Sequence, residues 1–194
     1  PILPPMRLLG ELSDLGLVRR AARAVATELS AIGFNLNFAP ILDVDSNPDN
    51  PVIGDRAFGR DPRTVMRNAV AFLQGLQEKN VLACGKHFPG HGDTDTDSHV
   101  ELPIVRRSRG ALEATELRPF RALAAETPAV MTAHIVYPQI DPQHPATLSR
   151  RVLHDILRWE WGYDGVVITD ALMMKAKRAS ALSYSSALSS KNTH

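Results

Sequence analysis

Residues 81–99, VLACGKHFPGHGDTDTDSH, are the stretch on which the reading of this chain turns. Residues 81–85 form an apolar run of strand length, and the sequence becomes polar and turn-forming at Lys86. Residues 86–99 then bring together Lys86, three histidines (His87, His91, His99) and three aspartates (Asp93, Asp95, Asp97). The polar stretch continues to Arg107, long for a connection, and loops of that length are more often functional than idle.

Working outward, the same alternation of strand and helix recurs on both sides. Upstream, Leu15, Val18, Ala22, Val25, Leu29 and Ile32 recur at a helical period, with Gly33 placed to end the helix. Residues 34–42 (FNLNFAPIL) read as a short strand that runs into a loop rich in Asp, Asn, Pro and Gly. Asp61-Pro62 supplies an N-cap and a first-turn proline for a helix reaching about Asn80. Downstream, residues 108–126 read as a helix that Pro119 kinks or splits. Residues 129–135 read as a strand, residues 149–161 as a helix capped by Ser149, and residues 165–169 (GVVIT) as a fourth strand.

Strands alternating with helices imply an α/β fold, a mainly parallel sheet covered by helices. Periodicity does not separate a (β/α)8 barrel from an open doubly wound sheet. Both architectures place their chemistry on the loops that follow the C-terminal ends of the strands. Lys86 with His87, His134, and Asp170 fall at three such ends.

Composition narrows the partners. The chain has 194 residues, 44% hydrophobic and 22% charged, with a net charge of +1. That balance fits a globular domain and gives no electrostatic footprint for nucleic acid or an anionic membrane surface, so a neutral or weakly charged small molecule is the expected ligand. No stretch is long enough to span a bilayer, and no obligate protein partner is evident. Cys84 is the only cysteine, excludes an internal disulfide and reads as a small buried hydrophobe. The lone cysteine and the lack of a signal peptide at residue 1 favour a cytoplasmic location, although the chain opens Pro-Ile-Leu-Pro-Pro without an initiator methionine.

Three readings of residues 86–99 stand side by side. The first is a solvated loop whose aspartates and glycines only make turns. The second is a metal site drawn from His87, His91, Asp93, Asp97 and His99, but its spacing is unlike a helical zinc motif and no metal is expected. The third is acid–base catalysis by Asp97 and His99. Residues two apart in an extended segment point the same way, and a carboxylate on one imidazole nitrogen fixes the tautomer and raises the basicity of the other. Such an imidazole donates a proton to a leaving oxygen and later takes one from water. His144, His154 and His194 read as surface or packing residues, and His134 has no assigned role.

Residues 86–99 resemble the signature loop of the family 3 glycoside hydrolases, specifically the bacterial β-N-acetylglucosaminidase branch that removes terminal N-acetylglucosamine, notably in cell-wall recycling. NPVIGDRAFGRDP before it, and AVMTAHIVYPQID and GYDGVVITDALMM after it, stand in the matching order. The resemblance runs over residues 1–175 and implies a (β/α)8 TIM-barrel catalytic module, of which about four βα units are visible here. By the same resemblance the first strands, including a segment like DQEGG with an acidic sugar-gripping residue, lie upstream of Pro1, and the last strands lie beyond Asp170. Residues 176–194 (AKRASALSYSSALSSKNTH) are expected to be a divergent, disordered tail arising by truncation or frameshift.

The resemblance also implies roles. Asp170 matches the nucleophile that forms a covalent glycosyl-enzyme, His99 the general acid/base, and Asp97 its partner. Lys86, His87 and Arg56 match residues that bind the sugar. Read without the resemblance, Asp170 is a helix N-cap and Arg56 a loop ion-pair partner. The implied activity is retaining hydrolysis of a small glycoside without a cofactor, from peptidoglycan fragments or related glycosides. Retaining glycosidases generally use two carboxyl groups, and a neutral imidazole in place of one repels an anionic acceptor less, so phosphorolysis is the runner-up. A third expectation is that this chain alone, with an unclosed sheet, is inactive or aggregates.

Overall fold

The computed structural model describes residues 2–95 and 102–171. The strands are β1 (Leu36–Asn37), β2 (Leu82–Phe88), β3 (Ala129–Thr132), β4 (Val136–Tyr137), β5 (Asp141–Pro145) and β6 (Val166–Thr169). Four of them form one parallel sheet in the order β1-β2-β3-β6, and β4 and β5 form a separate antiparallel pair. The helices are α1 (Met6–Leu12), α2 (Leu15–Ala31), α3 (Pro62–Gln77), α4 (Arg109–Ala114) and α5 (Leu117–Leu123), followed by a helix of wider π-type turns over Arg151–Glu160. The alternation read from the sequence is therefore the architecture, with spatial order following chain order.

One face of the sheet packs on the helices. Ala83, Phe88 and Val130 join Val18, Ala22, Val65, Phe72, Leu76 and Ile156 in the main core. Gly75 lets α2 and α3 touch: a Cβ there would lie 2.3 Å from the carbonyl oxygen of Arg19. The other face carries a small cluster of Cys84, Ala129 and Met131, with Leu36 and Ile168 packed against it. Leu82 and Val166, two residues before Cys84 and Ile168, share that face by the period of a strand and stand 48% and 61% exposed. This is the inner face of an incompletely closed barrel, and β1 and β6 are its open edges among the described residues.

Several boundaries differ from those expected. The strand expected over 34–42 is regular only at β1, because Pro40 has no N–H for a ladder. The chain still tracks β2, with Cys84 N bonded to Ala39 O at 2.9 Å and Leu42 N to Lys86 O at 2.7 Å. The helix expected over 108–126 divides into α4 and α5 at Thr115 and Glu116, placing Pro119 in the first turn of α5, where its missing N–H is harmless. Asp14 caps α2 by accepting from Leu17 N at 2.9 Å. The hairpin β4–β5 follows β3 in a stretch where the sequence suggested no element. Asp141 organises it by accepting from Gln143 N (3.0 Å), His144 N (3.2 Å) and Ser149 Oγ (2.8 Å). Residues 172–194, including the expected tail, lie outside the described residues.

Candidate functional site

Strand parity aims the charged residues. Cys84 and Lys86 are two apart on β2, as Ile168 and Asp170 are at the end of β6, so Lys86 and Asp170 project from the inner face. The register pairs Lys86 with Met131 and Met131 with Ile168, which puts Asp170 two residues further up the same wall. His87 is the extra residue of a bulge, since β2 advances from Lys86 to Phe88 while β3 advances only from Met131 to Thr132. A bulge re-aims a side chain at the rim of a barrel. Arg56 arrives from the short 3-10 turn Gly54–Arg56, held by its own Nη1 on Val52 O at 2.8 Å. Arg56, Lys86, His87, His91 and Asp170 line one cleft of about 440 Å³, with Phe38, Met131 and Ile168 among its apolar walls. A second hollow of about 500 Å³ shares Arg56, Lys86 and Phe38 and runs beside β1.

The electrostatics follow from this crowding. Burial holds the Lys86 ammonium below its ordinary range, and the Arg56 cation pushes the same way, while Asp170 and Asp43 oppose both. Asp170 is half-buried, its N–H donating to Thr132 O (3.2 Å) and its Oδ1 accepting from Ala171 N (2.7 Å). His134 Nε2 bonds the Ala171 carbonyl at 3.2 Å, so the end of β3 holds the chain on either side of the Asp170 carboxylate.

Beneath the cleft lies a buried polar scaffold. Asp43 is fully buried and accepts from His87 N (3.1 Å to each oxygen), His87 Nδ1 (2.7 Å) and His91 N (2.7 Å). Burial pushes the Asp43 carboxyl up, but the His87 and His91 contacts outweigh it and hold the group below its ordinary range. Asn50 donates to His91 O (2.8 Å), Gly92 O (3.1 Å) and Thr94 Oγ1 (3.2 Å), while its Oδ1 accepts from Val52 N and Ile53 N, both at 2.8 Å. Gly92 packs flat on the preceding loop, where a Cβ would lie 1.5 Å from Val44 O. Tyr137 OH donates to Gly90 O. Glu116 accepts from Ser46 Oγ and from Arg107 Nη1, both at 2.8 Å, and Arg107 also stands 3.8 Å from Asp93.

Of the residues singled out from sequence, Arg56, Lys86, His87 and Asp170 meet in one cleft. Asp97 and His99 lie outside the described residues. The loop is not merely solvated: His87, His91 and Thr94 are buried. The Nδ1 atoms of His87 and His91 are engaged by Asp43 and by Thr94 Oγ1 (2.8 Å), and among the described residues no group of three His, Cys, Asp or Glu could hold a metal ion. Sequence reasoning missed Asp43, Asn50 and Glu116. Asp43 carried a signal, an aspartate closing the apolar run Pro40-Ile41-Leu42 at a strand end. Asn50 and Glu116 carried none, since their partners are distant in sequence.

Parallel strands in chain order, an outer helical layer and a charged cleft at the C-terminal strand ends define a portion of a catalytic-type (β/α) barrel. The chain belongs to glycoside hydrolase family 3: the sequence model of the "Glycosyl hydrolase family 3 N terminal domain" matches residues 1–190. A β-hexosaminidase of Nitrosomonas eutropha is 44% identical over 183 residues, covering 91% of this chain and 52% of that protein. The solved structure of a family 3 β-N-acetylglucosaminidase from Paenibacillus sp. FPU-7 is 47% identical with a TM-score of 0.87, covering 92% of this chain and 34% of that one. NagZ of Neisseria gonorrhoeae, solved in complex with N-trifluoroacetyl-D-glucosamine, is 41% identical with a TM-score of 0.83, covering 93% and 56%. The chain spans about half the length of the curated relatives it matches. Among the described residues no helix is long and apolar enough to cross a membrane.

Proposed function

We propose that this chain supplies the nucleophile and sugar clamp of a retaining β-N-acetylglucosaminidase acting on small glycosides such as peptidoglycan fragments. The observation that carries the reading is the single cleft in which the half-buried Asp170 carboxylate faces the same space as Lys86, His87 and Arg56. Asp170 attacks the anomeric carbon as the leaving oxygen departs. Lys86, Arg56 and His87 bind sugar hydroxyls, and positioning of this kind makes the attack effectively unimolecular. His99, oriented by Asp97, protonates the departing oxygen and then deprotonates the water that releases the sugar. Residues 1–175 form part of a (β/α)8 barrel whose further strands close β1 and β6. The relatives named β-hexosaminidase and β-N-acetylglucosaminidase support the sugar specificity.

The test is release of nitrophenol from 4-nitrophenyl N-acetyl-β-D-glucosaminide by the full-length protein containing this sequence. Asp170→Asn should lower kcat by about 10³-fold or more with an unchanged circular dichroism spectrum, as loss of a covalent nucleophile does. Retained activity in this variant would remove Asp170 from the mechanism. Sugar released only as the 1-phosphate, and only when phosphate is present, would replace hydrolysis by phosphorolysis.

A further inference from the structure

We infer that Asp43 is a positioning residue that fixes the tautomer of His87, so that His87 Nε2 accepts a hydrogen bond from one hydroxyl of the bound sugar. The inference rests on the sugar-cleaving reading of the cleft and sharpens it, from a residue that contacts sugar to the direction of one bond. An ionised carboxylate only accepts, so the 2.7 Å contact between Asp43 Oδ2 and His87 Nδ1 requires the proton on Nδ1. The neutral ring then carries its lone pair on Nε2. The His87 side chain is 7% exposed, its ring lines the cleft, and among the described residues Nε2 has no hydrogen-bond partner. An acceptor held nearly dry and unpaired is complementary to a donor brought by a ligand. Lys86, the preceding residue, supplies only donors, so the pair offers sugar hydroxyls both polarities.

The carboxylate geometry foretells what Asp43→Asn does. Oδ1 receives two backbone N–H groups, from His87 at 3.1 Å and His91 at 2.7 Å, whereas Oδ2 shares the His87 N–H at 3.1 Å and faces His87 Nδ1 at 2.7 Å, so only Oδ1 has a backbone donor to itself. An asparagine keeps its oxygen at the two backbone donors and turns its NH₂ towards Nδ1. That NH₂ donates, Nδ1 becomes the acceptor, and the ring proton moves to Nε2. The acceptor towards the sugar becomes a donor without change of side-chain volume.

Two measurements on the full-length protein decide the matter. Nitrogen NMR of histidine-labelled unmodified protein, with His87 assigned by a His87→Gln difference, should show a protonated Nδ1 and a bare Nε2. A protonated Nε2, from the other tautomer or an imidazolium at assay pH, overturns the inference and leaves the sugar-cleaving reading intact. The second measurement uses 3-, 4- and 6-deoxyfluoro N-acetylglucosaminides, since fluorine accepts but does not donate. The unmodified protein should penalise fluorine at one ring position by about tenfold in kcat/KM beyond its inductive effect, the worth of one hydrogen bond. Asp43→Asn should erase that penalty at that position alone, the inductive slowing being common to both proteins. An equal penalty in both proteins refutes the role of Asp43, whereas failure of unmodified protein to cleave any N-acetylglucosaminide refutes the underlying reading instead.

Discussion

Replacing Asn50 tests whether buried amide bonds, rather than the glycine-bearing loop itself, hold the floor of the cleft. Asn50 is 8% exposed; its two amide N–H groups are shared among three acceptors and its Oδ1 accepts two bonds, joining the turn that presents Arg56 to the loop that follows His87. At about 0.5–1.5 kcal/mol net for each bond, with some partners recovering water, Asn50→Ala should lose roughly 2–4 kcal/mol. For a domain of this size that corresponds to a Tm lower by roughly 5–15 °C. Asn50→Asp separates this account from simple bond counting. Aspartate keeps the bonds from Val52 N and Ile53 N but sets a carboxylate oxygen where Asn50 Nδ2 lies 2.8 Å from His91 O and 3.1 Å from Gly92 O. Counting bonds makes aspartate the milder change, whereas electrostatics makes it at least as damaging as alanine at neutral pH. Protonating the new carboxyl restores one donor, so the aspartate variant should regain stability relative to alanine as pH falls. Urea unfolding at both pH values, with activity in parallel, measures this. Alanine within about 0.5 kcal/mol of the unmodified protein, or aspartate clearly above alanine at neutral pH, would refute the reasoning.

Two further outcomes follow from burial. Burial raises the Glu116 carboxyl above its ordinary 4.5, against the opposing pull of Ser46 and Arg107. The folded state thus holds this proton more tightly than the unfolded chain. The contribution of Glu116 to stability is fully present below about pH 4.5 and declines as pH rises through the raised value. Glu116→Gln should therefore lose ground to the unmodified protein in acid and recover it towards neutrality in urea titrations, and parallel stability curves would contradict this. At the sheet edge, Val166 is 61% exposed here, but the proposed closed barrel would cover it. Val166→Lys should reduce self-association of this chain by light scattering while costing the full-length protein roughly 1–3 kcal/mol, and an innocuous effect in both would argue against closure of the barrel at β6.

Much of the fold was legible because it rests on local periodicity. The apolar spacing of α2 and the Asp61-Pro62 opening of α3 are read within one turn, and both helices stand where the spacing puts them. The sheet positions of Lys86 and Asp170 were legible for the same reason, although β2 runs on to Phe88 rather than ending before Lys86, and parity then orients both side chains to one face. What escaped depends on distant partners. Asp43 and His87 are 44 residues apart and Ser46 and Glu116 are 70 apart; the apolar run before Asp43 marks a strand end but not its partner, and nothing local separates Glu116 from a helix-surface glutamate. The β4–β5 pair escaped because its residues, YPQIDPQHP, carry too many prolines for a strand pattern, and side-chain bonds to Asp141 replace the missing ladder contacts.

The residues proposed as nucleophile and sugar clamp stand on the sheet, and the proposed chemistry gives a reason. A nucleophile and a sugar clamp must hold one geometry, and Lys86, His87 and Asp170 stand on or directly beside sheet strands, with His87 pinned by a buried carboxylate. An acid/base serves two steps of opposite direction, first giving a proton to a leaving oxygen and then taking one from water. Residues 96–101, which contain Asp97 and His99, are flanked by stems that are themselves secured. On one side Asn50 holds Thr94 and Asp93 faces Arg107; on the other Arg107 is bound to the buried Glu116 at the start of α5. Glu116 is bonded in turn to Ser46, three residues beyond Asp43, so both stems and the His87 cradle hang from one loop between β1 and α3. A disturbance at either carboxylate therefore reaches His87 and the segments on both sides of residues 96–101 together. For that reason the effects of Asn50, Asp43 and Glu116 substitutions should couple rather than add.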